Sequence, residues 1–310
     1  MYRYLLRRIL QAVPTLLLVT VVTFSITMLL PGDPALAFLG EAQAMDKVAY
    51  NAMRQELGLD QPIPVQYVLW LNRALHGDLG TSIRTREPVI EAIRNRFPIT
   101  LQLTVVAMVI ALLVALPVGI ISAVRPNSWL DSIGTILAMS GQAVPSFWFG
   151  IMLIVVFAVW LGWLPAGGAA EEGDDWRFLV LPVATLAFGQ MAAYARHATA
   201  SMEAALAEPW VRSARARGAS ENRVALVHAL PNASVPLLTL LGLDAGALVS
   251  GAVITETLFA RPGMGKLIFD AIMGNDYNLA LLALLVVAVV TMLGSLGADL
   301  AQRALDPRLR

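Results

Sequence analysis

The amino-acid sequence predicts an all-α membrane protein with six transmembrane helices, and three observations support this fold class. Of its 310 residues, 57% are hydrophobic and only 14% are charged, whereas an ordinary soluble domain is about a quarter charged. Apolar runs recur along the chain, and a helix needs roughly 20 apolar residues to span the hydrocarbon core of a bilayer. Arginine is concentrated in alternate connections between these runs, as it is in the cytoplasmic loops of membrane proteins.

Six apolar runs supply the predicted spans, at residues 9–30, 97–124, 132–170, 178–195, 233–255 and 277–298. The third run is too long for one helix, and its GWLPAGG tail contains turn residues, so we end that helix near Trp163. The run at 233–255 is interrupted only by Asp244. Prolines inside the spans predict kinks, which a helix bundle tolerates because neighbouring helices re-satisfy the freed backbone groups. These prolines are Pro14, Pro117, Pro145, Pro182 and Pro236.

The distribution of lysine and arginine predicts that both termini are cytoplasmic. With the N-terminus inside, the two short external loops hold Arg177, Arg261 and Lys266. The internal segments hold Arg3, Arg7, Arg8, Arg125, Arg196, Arg212, Arg215, Arg217, Arg223, Arg303, Arg308 and Arg310. Residues 196–232 then form the longest internal cytoplasmic loop.

The spans divide the chain into three predicted parts. Residues 1–30 hold the N-terminus and the first transmembrane helix, and the apolar run of this helix is longer than the roughly 7–15 residues of a signal-peptide core. Residues 31–96 form an external, periplasmic helical insertion, with one amphipathic helix capped by Gly58 and a second beginning at Ile63. These helices lie on the outer surface of the bundle or form a docking platform for an external partner. Residues 97–310 form a core of five transmembrane helices around the loop 196–232.

Several chemistries are disfavoured by the residues present. The chain has no cysteine, and its histidines (His76, His197 and His228) lie far apart, so we predict no metal centre. The zero net charge does not suggest nucleic acid as a partner. The segment ARPGMGKL at 260–267 lacks the first glycine and the Ser or Thr of a phosphate-binding loop. We therefore predict that the chain is not an enzyme, and we interpret the acidic residues 171–175 as a solvated loop.

The loop 196–232 predicts a helix, a break at Gly218 and a second helix. Pro209 suits the first turn of a helix, and Glu208 just before it favours the positive end of the helix dipole. Ala214 and Ala216 give a small-residue face that could lie close to another protein, and Ser220 can cap the next helix. The alternative is a plain positively charged loop that touches anionic lipid headgroups.

The order of residues in this loop resembles the cytoplasmic signature of importer permeases of the ATP-binding-cassette (ABC) type, EAA–x3–G–x9–I–x–LP. Arg212, Ser213 and Ala214, then Gly218, then His228, Leu230 and Pro231 occupy its spacing. The variant RSARARG…HALPNA is similar to the RTARAKG…HALRNA form of the dipeptide, oligopeptide and nickel permease subfamily. The resemblance extends along the chain through LLPGDPA (29–35), LGLDQPIPVQY (57–67), GDLGTS (77–82), VPSFWFG (144–150), GWLPAGG (162–168), TETLFARPGMGKLIFDAI (255–272), NDY (275–277) and LDPRLR (305–310).

This resemblance implies a type I ABC-importer permease fold in a bacterial inner membrane. In the family, the cytoplasmic loop forms a coupling helix that fits a groove on an ATPase subunit. The implied docking residues are Glu208, Arg212, Ser213, Ala214, Arg215, Ala216, Arg217, Gly218, Ser220 and Glu221, and we call residues 208–221 the coupling segment. The implied partners are a second homologous permease, two ATPase subunits that bind ATP and Mg, and an external solute-binding protein. This chain would carry no cofactor and would serve the ATP-driven import of peptides or similar small solutes.

Asp244 is the residue that points to a translocation pathway, because an ionised carboxylate near mid-span is costly unless it is paired or hydrated. The candidate pathway residues are Asp244, Gly251, Thr255, Gln142 and Gln190. A structural role for a buried, paired or protonated acid is the alternative. Two other functions stay open at this point, namely an ion-coupled secondary transporter that acts alone with Asp244 as proton carrier, and a membrane anchor or scaffold without a pathway. The absence of an evident inverted repeat disfavours the secondary transporter.

Overall fold

The computed structural model describes residues 2–29, 33, 35–36, 39, 46–56, 58–169 and 175–305. Its described part is helical apart from turns, loops and one isolated bridge between Thr81 and Pro88, which confirms the predicted class. The acidic residues 171–174 and the parts of LLPGDPA and LDPRLR at 30–32, 34 and 306–310 lie outside the described residues.

The helices in chain order are α1 (Tyr2–Leu29), α2 (Lys47–Glu56), α3 (Ile63–Leu75), α4 (Val89–Val124), α5 (Trp129–Ala143), α6 (Ser146–Leu153, continued by a π-helical stretch at Ile154–Trp160), α7 (Arg177–Ala207), α8 (Pro209–Ala216), α9 (Glu221–Arg223, a π-helical stretch at Val224–Ala229, then Leu230–Leu258), α10 (Met264–Met273) and α11 (Tyr277–Leu305).

Five helices in the described ranges, α1, α4, α7, α9 and α11, contain segments long and apolar enough to cross a membrane. The α5–α6 pair gives a sixth if it is counted as one broken span. This arrangement agrees with the six predicted spans.

The single helix predicted from residue 132 to Trp163 is wrong, because α5 and α6 meet at an angle of 105°. Val144 ends α5 in an extended conformation (φ −90°, ψ 121°), and Pro145 precedes α6. A proline disfavours helical backbone in the residue before it and has no N–H to continue the ladder. By contrast, α1, α7 and α9 run on through Pro14, Pro182 and Pro236.

The chain divides into two compact units, and the first comprises Met1–Thr100 and Pro262–Met292. Its core joins α1, α3, α4, α10 and α11 through buried apolar residues. Phe24 and Tyr67 meet edge to face with ring centroids 5.5 Å apart, and the Tyr67 hydroxyl lies 2.9 Å from that of Thr20. Such aromatic pairs contribute about 0.5–1.5 kcal/mol beyond the area they bury. They therefore hold α3 against α1.

Two polar contacts fix the loops of the first unit. Asp33 accepts hydrogen bonds from Tyr50 (2.6 Å) and Arg54 of α2. Burial acts to raise the pKa of Asp33, but the hydrogen bonds from Tyr50 and the Ala35 amide and the charge of Arg54 outweigh it and leave the pKa below its usual value. Gly58 has φ 71° after the end of α2, which confirms the predicted glycine cap.

The second polar contact links the GDLGTS and NDY segments. The Ser82 hydroxyl donates to Asp276 over 2.5 Å, and both residues are buried. The Asp276 carboxylate also accepts from the Leu279 amide at 3.3 Å. Asn278 Nδ2 donates to the carbonyl of Leu79 at 3.0 Å. We call these contacts the 82/276 clip, and they join segments that are far apart in the sequence.

The second unit comprises Leu101–Arg261 and Leu293–Arg310. Every fourth residue of α4 from Leu103 to Ala115 is fully buried, and three of these four are alanine. Small residues let helix backbones approach closely in a membrane. Gly119 marks one such close approach, since a Cβ there would lie 2.5 Å from Cβ of Ala198 on α7. Helix α7 also packs against α9.

The predicted parts 1–30, 31–96 and 97–310 are defined by their position relative to the membrane, whereas the two compact units are defined by spatial packing. The two divisions therefore cannot be compared directly. The division by membrane position stays a prediction.

Candidate functional site

The coupling segment forms the short helix that the sequence predicts. The backbone is extended at Glu208 (φ −67°, ψ 147°), and Pro209 is the first residue of α8. Proline suits this position because the missing N–H would have no partner in the first turn of a helix. Helix α8 ends at Ala216 and is eight residues long.

Gly218 provides the break that follows α8. It has φ 82°, its N–H donates to the carbonyl of Arg215 at 2.9 Å, and the Ala219 N–H donates to that of Ala214 at 3.2 Å. Residues with a side chain avoid this left-handed conformation, and glycine adopts it freely. The predicted break is therefore confirmed. Ser220 takes the N-cap position of the next helix, but its side chain makes no capping hydrogen bond, so that part of the prediction is wrong.

The predicted small-residue face at Ala214 and Ala216 needs correction. Ala214 is 3% exposed and Val211 is fully buried, and both pack with Val224 in a small apolar cluster. Ala216 is exposed. Residues i and i+2 of an α-helix lie about 200° apart around its axis, so Ala214 and Ala216 point in nearly opposite directions. The small size of Ala214 serves packing within the chain. The exposed residues of α8 are Arg212, Ser213, Arg215 and Ala216, and Arg217 just after the helix is exposed as well.

One ion pair closes the turn around Gly218. Arg215 donates from Nε and Nη2 to the two carboxylate oxygens of Glu221, each over 2.9 Å. The hydrogen bond from Arg215 lowers the pKa of the Glu221 carboxyl, and the same bond raises the pKa of Arg215. Both side chains are exposed, so water screens the pair.

The structure brings together some of the candidate pathway residues. Asp244 on α9 lies close enough to interact with the buried hydroxyl of Tyr194 on α7. Gln190 lies one helical turn before Tyr194, and its buried Oε1 has no hydrogen-bond partner among the residues that the structure describes. Tyr194 and Asp244 link α7 to α9 inside the second unit, and together with Gln190 on α7 we call these residues the 190/194/244 cluster.

The other candidate pathway residues lie elsewhere. Thr255 is buried and follows Asp244 by eleven residues on α9, a rise of roughly 16 Å. Gly251 is on the same helix, between them. Gln142 is exposed near the end of α5, where its Oε1 accepts from Arg196 over 2.6 Å. The five candidates therefore do not form one site.

The buried polar residues include three that the sequence analysis did not propose as site residues, Tyr194, Glu256 and Arg261. Tyr194 is one, and its i, i+4 spacing from Gln190 could have drawn attention to it. Glu256 is fully buried at the end of α9, and Arg261 is 9% exposed and donates to Gln102 over 2.9 Å. Charged residues beside the end of an apolar run are a usable signal for such buried groups.

A cavity of about 710 Å³ lies within the first unit. Its walls combine Leu69 and Trp70 of α3 with the polar side chains of Arg73, Asp78 and Asn278. They come from several separate stretches of sequence, so no local pattern indicated it. In the ranges that the structure describes, no three His, Cys, Asp or Glu side chains come together in a way that could hold a metal ion.

Comparison with known families covers nearly the whole chain. Residues 115–310 match the family described as the binding-protein-dependent transport system inner membrane component, and residues 1–104 match its N-terminal family. A chain of the MetNI methionine ABC transporter, solved in inward-facing conformations, has a TM-score of 0.60 and 19% identity, over 71% of this chain and 99% of that chain. This likeness shows the type I permease fold.

Relatives with named functions are similar over their full length. The glutathione transport system permease protein GsiC of Pectobacterium atrosepticum is 40% identical, covering 100% of this chain and 99% of the relative. GsiC of Salmonella typhimurium is 39% identical with the same coverage. The dipeptide transport system permease protein DppB of Alkalihalophilus pseudofirmus is 37% identical, covering 100% of both chains. The resemblance read from the sequence motifs is thereby confirmed, and the chain belongs to the family of binding-protein-dependent transport system inner membrane components, the multi-pass permease subunits of ABC importers.

Proposed function

We propose that this chain forms half of the translocation pathway of an ATP-driven importer of peptides or similar small solutes. The relatives named for glutathione and dipeptide transport support this solute class. The observation that carries the ATP-driven part is α8, a short helix whose inner face is anchored in its own chain and whose outer face is free to meet a partner.

The anchoring of α8 suits it to transmit force. Val211 and Ala214 pack with Val224 of α9, and Leu206 at the end of α7 packs against the same cluster. A push on the outer face of α8 would therefore reach both α7 and α9, because closely packed side chains transmit displacement rather than absorb it. These two helices carry the 190/194/244 cluster.

The outer face of α8 and the turn after it are basic and exposed, through Arg212 and Arg215 on the helix and Arg217 just after it. We infer that it docks on an ATPase subunit, with Glu208, Ser213, Ala216, Gly218, Ser220 and Glu221 around it. In the assembly that we propose, this permease pairs with a second homologous permease, two ATPase subunits hold ATP and Mg, and an external protein delivers the solute. The chain itself would bind no cofactor and would hydrolyse nothing.

Charge reversal tests the docking surface. We expect Arg212→Glu together with Arg217→Glu to release the ATPase subunits during purification of the complex and to abolish ATP-driven uptake. Arg125→Glu is the matched control, because Arg125 is an exposed arginine in another predicted cytoplasmic connection. Retention of the ATPases and normal uptake in the double variant would show that the segment is only a positively charged loop.

Uptake by proteoliposomes separates this proposal from a secondary transporter. The complete complex should import labelled glutathione or a dipeptide only with internal ATP and the external binding protein. Uptake driven by an ion gradient alone, without ATPase subunits, would support the secondary transporter instead.

Labelling of single cysteines tests the proposed orientation. Asp60 and Ser213 are both exposed, in the predicted external insertion and on α8 respectively. An impermeant thiol reagent should reach Asp60→Cys from outside and Ser213→Cys only from inside. Labelling of both from one side would contradict the topology with both termini in the cytoplasm.

A further inference from the structure

The hydrogen-bond spacing of the backbone changes within α9. Residues Val224–Ala229 are π-helical, and the N–H of Leu230 donates to the carbonyl of Ala225, five residues back. An α-helix uses the carbonyl four residues back, as the N–H of Val224 still does with Ser220 at 2.9 Å. This segment, which we call the π stretch, therefore holds one residue more than an α-helical turn would. Such bulges are rare and occur frequently at functional sites.

Pro231, just beyond the π stretch, favours the wide turn. At α-helical spacing the N–H of residue 231 would bond the carbonyl of Val227, but proline has no N–H and its ring would collide with that carbonyl. A wider turn relieves the collision because it moves the carbonyl away from the ring. The side-chain amide of Asn232 donates to the carbonyl of His228 at 3.0 Å, which its own backbone N–H would bond in an α-helix. Both residues thus support the change of spacing.

The two ends of the π stretch pack against different partners. Val224, its first residue, lies in the apolar cluster with Ala214 of α8. Ala229, its last residue, lies in a second buried cluster that includes Met202 and Ala205 of α7. Val224 and Ala229 are both fully buried. The π stretch therefore connects the coupling segment to the part of α9 that packs on α7.

A π stretch can convert a displacement into a rotation. Each residue of an α-helix turns the chain by about 100° and advances it by about 1.5 Å. A change between five-residue and four-residue spacing therefore rotates the helix beyond it by a fraction of that angle, without unfolding a turn. A push on α8 reaches the π stretch through Val224. The extra residue gives α9 the slack to turn in response.

We propose that the π stretch is the joint through which movement of the coupling segment rotates the membrane-spanning part of α9. Pro231 is a positioning residue that keeps the extra residue in the turn, and Asn232 supports it from the next position. The candidate pathway residues of α9 lie beyond the joint, so its rotation moves them. This inference rests on the proposed coupling to ATPase subunits and adds the element that converts their movement.

The test closes the joint and keeps the helix on either side of it in place. Deletion of Val227, which is 58% exposed, together with Pro231→Ala removes the extra residue and the proline that retains it. In this closed variant Ala225 and Ala229 are three residues apart and stay on one helical face. The complete complex in proteoliposomes is given ATP, its external binding protein and a labelled dipeptide. The closed variant should assemble and hydrolyse ATP, but uptake per ATP hydrolysed should fall by about 5- to 150-fold, the usual range of coupling between two sites.

Three controls separate the extra residue from the side chains. Val227→Ala keeps the chain length and should keep the wild-type uptake per ATP hydrolysed. Pro231→Ala alone also keeps the extra residue, and the packing of Ala229 still favours the wide turn, so uptake per ATP should fall by less than about fivefold. Pro14→Ala, in a helix that runs on through its proline, should change nothing. If Pro231→Ala alone has as large an effect as the closed variant, the proline and not the π stretch carries the coupling, and the proposal is wrong.

Hydrogen exchange provides a readout that needs no mutation. In the wild-type complex, the amides of residues 224–230 should exchange about tenfold faster or slower with a non-hydrolysable ATP analogue than without nucleotide, because the joint changes its hydrogen bonds. Equal exchange in the two states would overturn the proposal, even if the closed variant does not assemble. If the wild-type complex couples uptake to ATP and the closed variant does so equally well, the joint is wrong and the import function stands. If the wild-type complex shows no ATP-driven uptake, the import function and the joint both fall.

Discussion

The coupling segment and the 82/276 clip each fix a turn through a carboxylate, but the two contacts differ in burial and in reach. Arg215 and Glu221 are six residues apart and exposed. Ser82 and Asp276 are 194 residues apart and buried. An exposed ion pair exchanges its partner for water at little cost, whereas a buried carboxylate that loses its donor has no substitute. The clip should therefore stabilise the protein far more than the ion pair.

The comparison also shows what shapes the coupling segment. Its geometry depends on the left-handed backbone at Gly218 and on the burial of Val211 and Ala214, and its ion pair adds little. Because the exposed face of α8 contributes little to the stability of the fold, its residues can vary to suit a binding partner. The clip has no such freedom, because its polar atoms are used within the chain.

The largest effect is expected at Asp276. Asp276→Ala removes the acceptor for the Ser82 hydroxyl and for the Leu279 amide, and it leaves buried donors unpaired. We expect a loss of about 3 kcal/mol of stability, measured as a lower midpoint of thermal unfolding in detergent. Asp60→Ala, an exposed carboxylate in the same unit, is the control and should change the midpoint little.

The next effect separates the two faces of α8. Ala214→Trp forces a large ring into the cluster with Val211 and Val224 and should cost about 2 kcal/mol of stability. Ala216→Trp, on the exposed face, should leave the unfolding midpoint unchanged and reduce the amount of ATPase that co-purifies. Equal midpoints for the two variants would contradict the burial of Ala214, and full ATPase binding by Ala216→Trp would contradict docking through this face.

A smaller effect is expected at Gly218, where the backbone alone resists substitution. No atom lies within 4 Å of the position that a Cβ would occupy, so the cost arises from φ 82° and not from collision. Gly218→Val should lose about 1–2 kcal/mol, and Gly218→Asn should lose less, because asparagine tolerates the left-handed region. If both variants unfold at the same temperature, the left-handed backbone conformation does not explain the glycine at position 218.

The features that could be predicted from the sequence are those in which nearby residues determine the outcome. Apolar runs predict the spans, and Pro209 and Gly218 predict the ends of α8, because each signal acts within a few residues. At Pro145 the sequence predicts only a kink, because other prolines in the spans lie inside continuous helices and the sequence alone does not separate the two cases. The bond between Ser82 and Asp276 and the proximity of Tyr194 to Asp244 depend on tertiary packing. No local pattern predicts them, and for the same reason the burial of Ala214 was missed.

The smallest effect is expected at the ion pair of the coupling segment, and its pH dependence provides the test. The hydrogen bond from Arg215 lowers the pKa of Glu221 in the folded protein, so the pair adds stability above the unfolded pKa near 4.5 and loses it as the pH falls through the folded pKa. Glu221→Gln lacks this pH-dependent contribution to stability, because glutamine does not ionise. The fall in unfolding midpoint between pH 7 and pH 4 should be slightly smaller in Glu221→Gln than in the wild type, while other carboxyl groups affect both proteins alike. Arg215→Gln should behave in the same way, and 1 M salt should remove the difference, because screening acts strongly on exposed charges. A loss in Glu221→Gln at pH 7 as large as that in Asp276→Ala would overturn the contrast between the exposed pair and the buried clip.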